Sequence, residues 1–380
     1  MKKGWEVKPL GEVVKIVNGG TPKSKVKEYW GGNVHWLTPK DMGQQTVREV
    51  AETPRKISDK GLNNSSAKLV PEQSVILSTR APIGHLAINT VPMAFNQGCR
   101  GLVPNPELDY LFLYYFLSAN REYLNELGSG TTFKELSATN LKAVEIPLPP
   151  LEEQKRIVAV LDEAFEGLAH ARANAEANLQ NARDLCDGYI AAFLERGSEL
   201  WPTKSLSEIS ENLDRKRVPI TKKDRVPGDV PYYGASGVVD HVADYIFDEG
   251  LLLVSEDGAN LLARSYPIAF SISGKSWVNN HAHVLRFDDL ETQEFVRLYL
   301  NSISLKPYVS GMAQPKLNQA SLNKIPISFP EYEIRAEFVA NSANIVNETK
   351  RLSDHYQQTL LDLEQVKQSL LQKAFAGELT

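Results

Sequence analysis

The sequence predicts an α+β chain built twice over. Two α/β domains are joined and separated by two long antiparallel helices, as an internal tandem repeat with pseudo-two-fold symmetry. Three observations predict this. The stretch GSGTTFKELSATNLKAVEIPLP (128–149) returns as VSGMAQPKLNQASLNKIPISFP (309–330), at a constant offset of 181 with six identities in 22 positions. The stretches GWEVKPLGEVVKI (4–16) and LWPTKSLSEISEN (200–212) match at Trp, Lys and Leu with offset 196. Each copy then continues into a segment nearly free of Gly and Pro, from about Leu151 to Arg196 and from about Glu331 to Gly377. The falling offset makes the second copy about 15 residues shorter inside. The edges of the copies match and the middles differ, as in one scaffold carrying two specificities.

The predicted boundaries are a first domain at 1–150, a helix at 151–198, a second domain at 199–330 and a second helix at 331–380. Within the first domain, QSVILSTRAPIGHLAI (73–88) reads as strands bounded by turn residues, and so does VSEDGANLLARSYPIAFSIS (254–273) in the second. ELDYLFLYYFLSANREYLNELG (107–128) and LETQEFVRLYLNSI (290–303) read as helices at matching places. A helix of ~45 residues is a rod of roughly 65–70 Å. In the first rod Ile157, Leu161, Ala164, Leu168, Ala171, Ala175, Ala182, Leu185 and Tyr189 follow heptad steps, with Asn178 as an interruption. In the second, Ile345, Leu352, Tyr356, Leu363, Val366 and Leu370 do so, with Thr349 and Thr359 as interruptions. Such a seam packs on another helix. The second rod starts at the second domain, so pairing along its length requires it to run back antiparallel. Two-headed readers of this kind match the two-fold symmetry of duplex DNA.

Composition bounds the rest. Hydrophobic content is 42%, ordinary for a globular protein. The start MKKGWEVKPL does not read as a signal peptide, and no apolar run is long enough for a bilayer, so a cytoplasmic, membrane-free protein is expected. Two cysteines, Cys99 and Cys186, suit a reducing compartment. The net charge of −5 hides an uneven distribution: residues 1–150 carry +4, and 151–200 carry −5. Residues 201–330 carry −1, and 331–380 carry −3. Acid concentrates in the rods. The run RKRVPITKKDR (215–225) has six basic residues, and PKSKVK (22–27) occupies a comparable point of the first copy. A single basic run reads better as a solvated loop, but two at matching places favour phosphate contacts. These nominate Lys23 and Lys25 in copy one, and Arg215, Lys216, Arg217, Lys222 and Lys223 in copy two.

No catalytic constellation is evident. There is no phosphate-binding Gly-Lys loop and no Gly-x-Ser-x-Gly elbow. His281 and His283 lack a third ligand, so no metal site is expected. Glu6-Val-Lys8 has too little chain before it for a nuclease site, and Glu256-Asp257 stands in an isolated turn. An enzyme is therefore not expected. The alternatives to a DNA reader are one half of a fused enzyme or a coiled-coil assembly protein.

IPLPPLEEQKRIVAVLDE (146–163), LLQKAFAGEL (370–379) and WEVKPLGEVVKIVNGGTP (5–22) carry a resemblance to the specificity subunit of Type I restriction–modification enzymes, and the duplicated layout extends it over the whole chain. The resemblance implies a non-catalytic subunit whose two domains are target recognition domains. Each reads one half of a bipartite, asymmetric double-stranded DNA target, and the helices set the gap. It implies partners: two modification subunits that hold S-adenosylmethionine and methylate adenine, and restriction subunits that use ATP and Mg. The chain itself is then expected to bind no cofactor. Pro149, Pro150, Glu153, Gln154 and Phe375 lie in the stretches that carry the resemblance and are the expected docking residues. The second copy has ISFPEYEIRAEFV where the first has IPLPPLEEQKRIV, so the two docking surfaces should be unequal.

The repeated stretch sits where each domain rejoins its helix. Gly130 and Gly311 should permit a tight loop there, anchored by Leu136 and Leu317. Thr131, Thr132 and Lys134 are candidate phosphate contacts. For base reading the divergent middles offer Lys40, Arg80, Gln97 and Arg100 in the first copy. In the second they offer Tyr233, Ser236, Glu256, Asn279, Asn280 and His283. Arg suits guanine, Asn or Gln adenine, and Glu cytosine.

Overall fold

A computed structural model describes residues 4–129, 134–311 and 314–379. The four longest helices among them are α1 (Tyr110–Ala119), α2 (Leu151–Leu200), α3 (Leu290–Ser302) and α4 (Tyr332–Ala376). The chain divides into two compact units. One is Met1–Asn174 with Thr359–Thr380, and the other is Ala175–Gln358. Each unit thus holds one sheet-rich head and a part of each long helix.

Head one is built on a five-stranded sheet with the spatial order Val14–Asn18, Cys99–Pro104, Val75–Ser78, Leu86–Asn89, Glu49–Val50. Its middle strand, Val75–Ser78, is a mostly apolar run buried throughout, as a strand covered on both faces must be. A second sheet pairs Trp30–Leu37 in parallel with Ala94–Phe95 and antiparallel with Lys56–Ile57. A two-stranded ribbon, Glu6–Pro9 with Glu145–Leu148, closes the head at its root. Helix α1 covers the large sheet with Phe112, Leu113 and Phe116, all buried. That core continues into the long helices, because Ile157, Leu161, Leu371 and Ala374 are buried within it.

Head two repeats the plan by itself. Its large sheet runs Glu211–Asn212, Ala282–Arg286, Leu251–Ser255, Ala269–Ile272. Its second sheet pairs Val230–Gly234 in parallel with Lys275–Val278 and antiparallel with Gly237–Val242. Its root ribbon is Thr203–Ser205 with Pro326–Ser328. The order of the four shared strands and the directions of these pairs are those of head one, while the edge strand Glu49–Val50 has no counterpart in head two and head two adds Phe247–Asp248 to its second sheet, so the weak sequence repeat is a structural repeat of the central strands.

Inside each unit the two long helices touch, and in unit one the contacts run antiparallel. In unit one Lys367 lies over the Phe165 ring, at 5.6 Å, and Arg172 approaches Glu364 at 3.9 Å. In unit two Phe338 stacks on Phe193 and Tyr189, with centroids 3.8 and 5.7 Å apart. The first long helix reaches beyond the predicted Arg196 to Leu200, and the second, Tyr332–Ala376, lies within its predicted span. The predicted seams need correction. Leu185, Leu352 and Val366 are exposed. Cys186, Ser353 and Lys367 take the inward places, being partly buried. Thr349, expected to interrupt the seam, has a buried hydroxyl. An α-helix turns at 3.6 residues, not 3.5, so the inward stripe steps by one residue where a strict heptad would not.

Phe338 is 1% exposed and joins both helices to the core of head two. Replacing it with Ala should cost about 3–5 kcal/mol of local stability. Calorimetry should show one of the chain's unfolding transitions moving down while the other stays. An unmoved thermogram would mean that the stack contributes nothing.

Candidate nucleic-acid interface

At one edge of head one, the ends of several strands converge in loops held by backbone hydrogen bonds. Asn96 N–H donates to Leu37 O at 2.8 Å, and the Thr79 N–H donates to Gly98 O at 2.8 Å. A hairpin closes on this edge: Ser129 and Glu135 exchange both backbone bonds, at 3.0 and 2.9 Å, and Leu136 N–H donates to Thr79 O at 2.8 Å. Lys40 enters from the short helix Pro39–Gly43, which Thr38 caps through a reciprocal pair with Asp41. Asn96 Oδ1 accepts from Gly98 N–H at 2.7 Å and so forms the turn that presents Gln97.

Head two has the same skeleton. Asn279 N–H donates to Tyr233 O, Glu256 N–H to His281 O, and Leu317 N–H to Glu256 O, at 3.0, 2.9 and 2.8 Å. Ser310 and Lys316 exchange bonds at 2.9 and 2.8 Å. Asn279 Oδ1 accepts from His281 N–H at 2.8 Å, as Asn96 does in head one. Gly311 sits in this hairpin at φ +82, and a Cβ there would meet Gln314 O at 2.5 Å. The structural equivalents follow from these bonds. Lys40 corresponds to Ser236, Gln97 to Asn280, Arg100 to His283, Arg80 to Asp257 and Glu135 to Lys316. The backbone is one, and the side chains are two different sets.

Head one therefore gathers Lys40, Arg80, Gln97, Arg100 and Lys134 on one edge. Lys40, Arg80 and Gln97 are exposed. Arg80 Nε donates to Glu135 at 3.0 Å, and Arg100 bonds Asn18 and the Leu136 carbonyl. Gln97 bonds Thr21, a neighbour the sequence reading left out. Gly130, Thr131 and Thr132 lie outside the described residues. In head two Ser236 and Asn280 are exposed and Tyr233 is half-buried.

Several expected readers prove to be framework. His283 is fully buried, with Nδ1 on Asp214 at 2.6 Å and Nε2 on Leu317 O at 2.7 Å. It does for its hairpin what Arg100 does for the other. Asn279 is 7% exposed and shapes its turn. Arg217, expected at phosphate, instead donates to Glu256 at 2.6 Å and to Ala282 O at 2.8 Å. Glu256 is also met by Lys316 at 3.1 Å. Asp214, Glu256 and His283 have ligand atoms within 4.8 Å of one another. Their partners are already cations and a carbonyl, so they form a self-neutralised network rather than an open ligand set.

The two basic runs also occupy matching places. Trp36 and Tyr232 are equivalent, and each lies under an arginine: Arg55 at 4.7 Å and Arg225 at 4.4 Å. Trp30, packed edge-on to Trp36 at 5.0 Å, donates to Lys23 O at 3.3 Å, and Tyr232 Oη accepts from Ile220 N–H at 2.9 Å. Lys23, Lys25, Arg215, Lys216, Lys222 and Lys223 are exposed on these loops. Arg55 was missed by sequence reading because it stands outside the basic run. It belongs with this set, since it is exposed.

Of the expected docking residues, Pro150 is exposed and Glu153 half-exposed. Pro149 is buried. Gln154 is wholly buried, accepting from Asp109 N–H and donating to the Glu107 and Pro149 carbonyls, at 2.8, 2.9 and 2.8 Å. Its equivalent, Arg335, donates to Pro330 O and stacks on Phe329 at 4.1 Å. Phe375 packs edge-on to Phe112 and Phe116. Gln154 and Phe375 therefore bind the helices to head one instead of facing outward.

These features define a class: a duplicated α+β scaffold with one loop edge per copy and helices continuous with both cores. The Type I restriction modification DNA specificity domain matches residues 2–178 and 198–369. The chain belongs to that family. It is 38% identical over 161 residues, 42% of the chain, to the MjaIX specificity subunit of Methanocaldococcus jannaschii. It is 26% identical over 344 residues to the EcoprrI specificity subunit of Escherichia coli, covering 86% of this chain and 83% of that one. In three of the more similar curated relatives the chain spans 37%, 38% and 40% of their length. The fold matches the HsdS subunit from Thermoanaerobacter tengcongensis with a TM-score of 0.66 at 20% identity, over 100% of this chain and 98% of that one. It matches a chain from work on assembly and conformational transition of the type I R-M system at 0.78, also at 20% identity, over 100% and 99%. No described helix is long and apolar enough to cross a membrane.

The buried network gives head two a pH signature. Burial pulls the Asp214 carboxyl toward the neutral form, but the His283 hydrogen bond and charge, the Val284 N–H and Arg217 outweigh it, and its pKa lies below the ordinary 3.8. Burial acts likewise on Glu256 and is outweighed chiefly by Arg217, so its pKa lies below 4.5. A depressed carboxylate stabilises the fold above its unfolded pKa and loses that contribution as pH falls through its folded pKa. Head two should therefore lose stability on acidification from about pH 4.5 downward. Asp214→Asn should melt earlier at neutral pH and show a flatter acid slope. Parallel melting curves for variant and wild type across pH 3–6 would contradict the network's role.

Proposed function

We infer that the chain is the DNA-specificity subunit of a Type I restriction–modification assembly. Each head reads one half of a bipartite, asymmetric duplex target through its loop edge. The long helices set the number of base pairs between the halves and dock two modification subunits. Restriction subunits can join the same assembly. One observation carries this reading above the others. The two loop edges share a hydrogen-bonded skeleton and differ in the side chains they present, which is what two half-sites of different sequence require. Membership of a DNA specificity domain family supports it. So do the exposed lysines and arginines on matching loops of the two heads, which suit phosphate.

The chain itself is proposed to be non-catalytic and to bind no cofactor. S-adenosylmethionine belongs to the modification subunits, and ATP and Mg to the restriction subunits. Docking is assigned to Pro150, Glu153 and the exposed faces of the helices, since Gln154 and Phe375 are occupied internally.

Replacing residues 1–150 by the head of another family member should change one half of the methylated motif and leave the other. A change in both halves would refute independent heads. Removing one matched heptad from each long helix should narrow the interval between the halves by about three base pairs, given a rise of about 1.5 Å per helical residue and about 3.4 Å per base pair. Sequencing of methylated DNA reads both outcomes, and an unchanged interval would remove the helices from the spacing role.

A further inference from the structure

The equivalent positions Arg80 and Asp257 carry opposite charge at the same point of the two loop edges. Each is tied to the first residue after its hairpin loop: Arg80 pairs along the backbone with Glu135, and Asp257 with Lys316. So the pair is inverted between the heads, arginine against glutamate in one and aspartate against lysine in the other. Both side chains are accessible, 46% for Arg80 and 35% for Asp257.

Their hydrogen bonds leave the recognising ends open. Arg80 gives Nε to Glu135 at 3.0 Å, and its terminal nitrogens have no partner among the described residues. A carboxylate on Nε fixes the plane of the guanidinium while its outer fork faces away. Asp257 receives His281 Nδ1 at 2.8 Å on one oxygen and at 3.1 Å on the other, which holds the carboxylate in place with acceptor capacity to spare. A held fork of two donors matches the two acceptors on the major-groove edge of guanine. A held carboxylate matches the exocyclic amino group of cytosine or adenine.

We propose that Arg80 and Asp257 are the equivalent, opposite-sense base readers of the two heads. Arg80 selects a guanine in one half-site, and Asp257 selects a base bearing an exocyclic amino group in the other. Glu135 and His281 are their positioning residues. This rests on the DNA-specificity reading proposed above.

The test is selection from a library of duplexes randomised over about 20 base pairs, using the chain co-assembled with its modification subunits. The wild-type assembly must first return a split motif; if it returns none, the DNA-specificity reading itself has failed. Given that motif, Arg80→Lys keeps the charge but loses the fork. It should lower the preference for one guanine in one half by roughly tenfold or more and leave the other half intact. Asp257→Ala should relax one cytosine or adenine position in the opposite half only. A motif unchanged in Arg80→Lys, or weakened evenly at every base, would make Arg80 a phosphate contact and overturn the proposal. Loss of preference in the same half for both variants would overturn it as well.

Discussion

Each head depends on a single backbone tie. The N–H that follows the hairpin, on Leu136 or Leu317, donates to the carbonyl at the end of a central strand, on Thr79 or Glu256. That bond places the hairpin against the sheet edge, and the hairpin's own paired residues fix its base. A buried leucine anchors it from below, and a side chain, half-buried Arg100 or fully buried His283, holds the next carbonyl. Because main-chain atoms make the tie, it does not constrain what the neighbouring side chains are. Backbone groups in a loop need partners wherever they are shielded from water, and here they find them in one another. The side chains of the edge are left free to differ between the copies.

They differ most where charge is concerned. Head one gathers several cations around one glutamate, while head two builds a buried network of two carboxylates, a histidine and an arginine. A buried charge is tolerated only when paired, and breaking one partner leaves the other stranded. Head two is therefore the more demanding of the two frameworks, and its stability is the more exposed to acid. The helices repeat the theme at the root of each head. Gln154 and Arg335 are chemically unlike, yet each holds the carbonyl of the equivalent proline, so the entry of the helix is preserved while the residue is not.

Much of this architecture was legible in the sequence, because the positions that fix the backbone are the ones that repeat. Ser129 and Ser310, Leu136 and Leu317, and Pro149 and Pro330 stand at one offset. They mark the hairpin closure, its anchor and the helix entry. What escaped has physical reasons. Arg80 and Asp257 are equivalent at an offset of 177, not 181, so an ungapped comparison hides them. His283 looked like a base reader because polarity is visible in a sequence and burial is not. Arg55 and Arg225 reach equivalent aromatic rings from opposite sides along the chain, one after its ring and one before it, so no alignment of the copies joins them. Leu185, Leu352 and Val366 fit a heptad on paper, but the helices keep their natural pitch and turn these residues to solvent.

The central claim is that one scaffold, used twice, reads two different half-sites. That reading is tested by the methylation pattern of a host genome, read on single molecules, with and without this chain in the presence of a modification subunit. If the two heads read unlike half-sites, removing the chain abolishes adenine methylation at one split motif with unlike halves. Methylation that persists at that motif without the chain, or a motif whose halves are the same sequence, would contradict it.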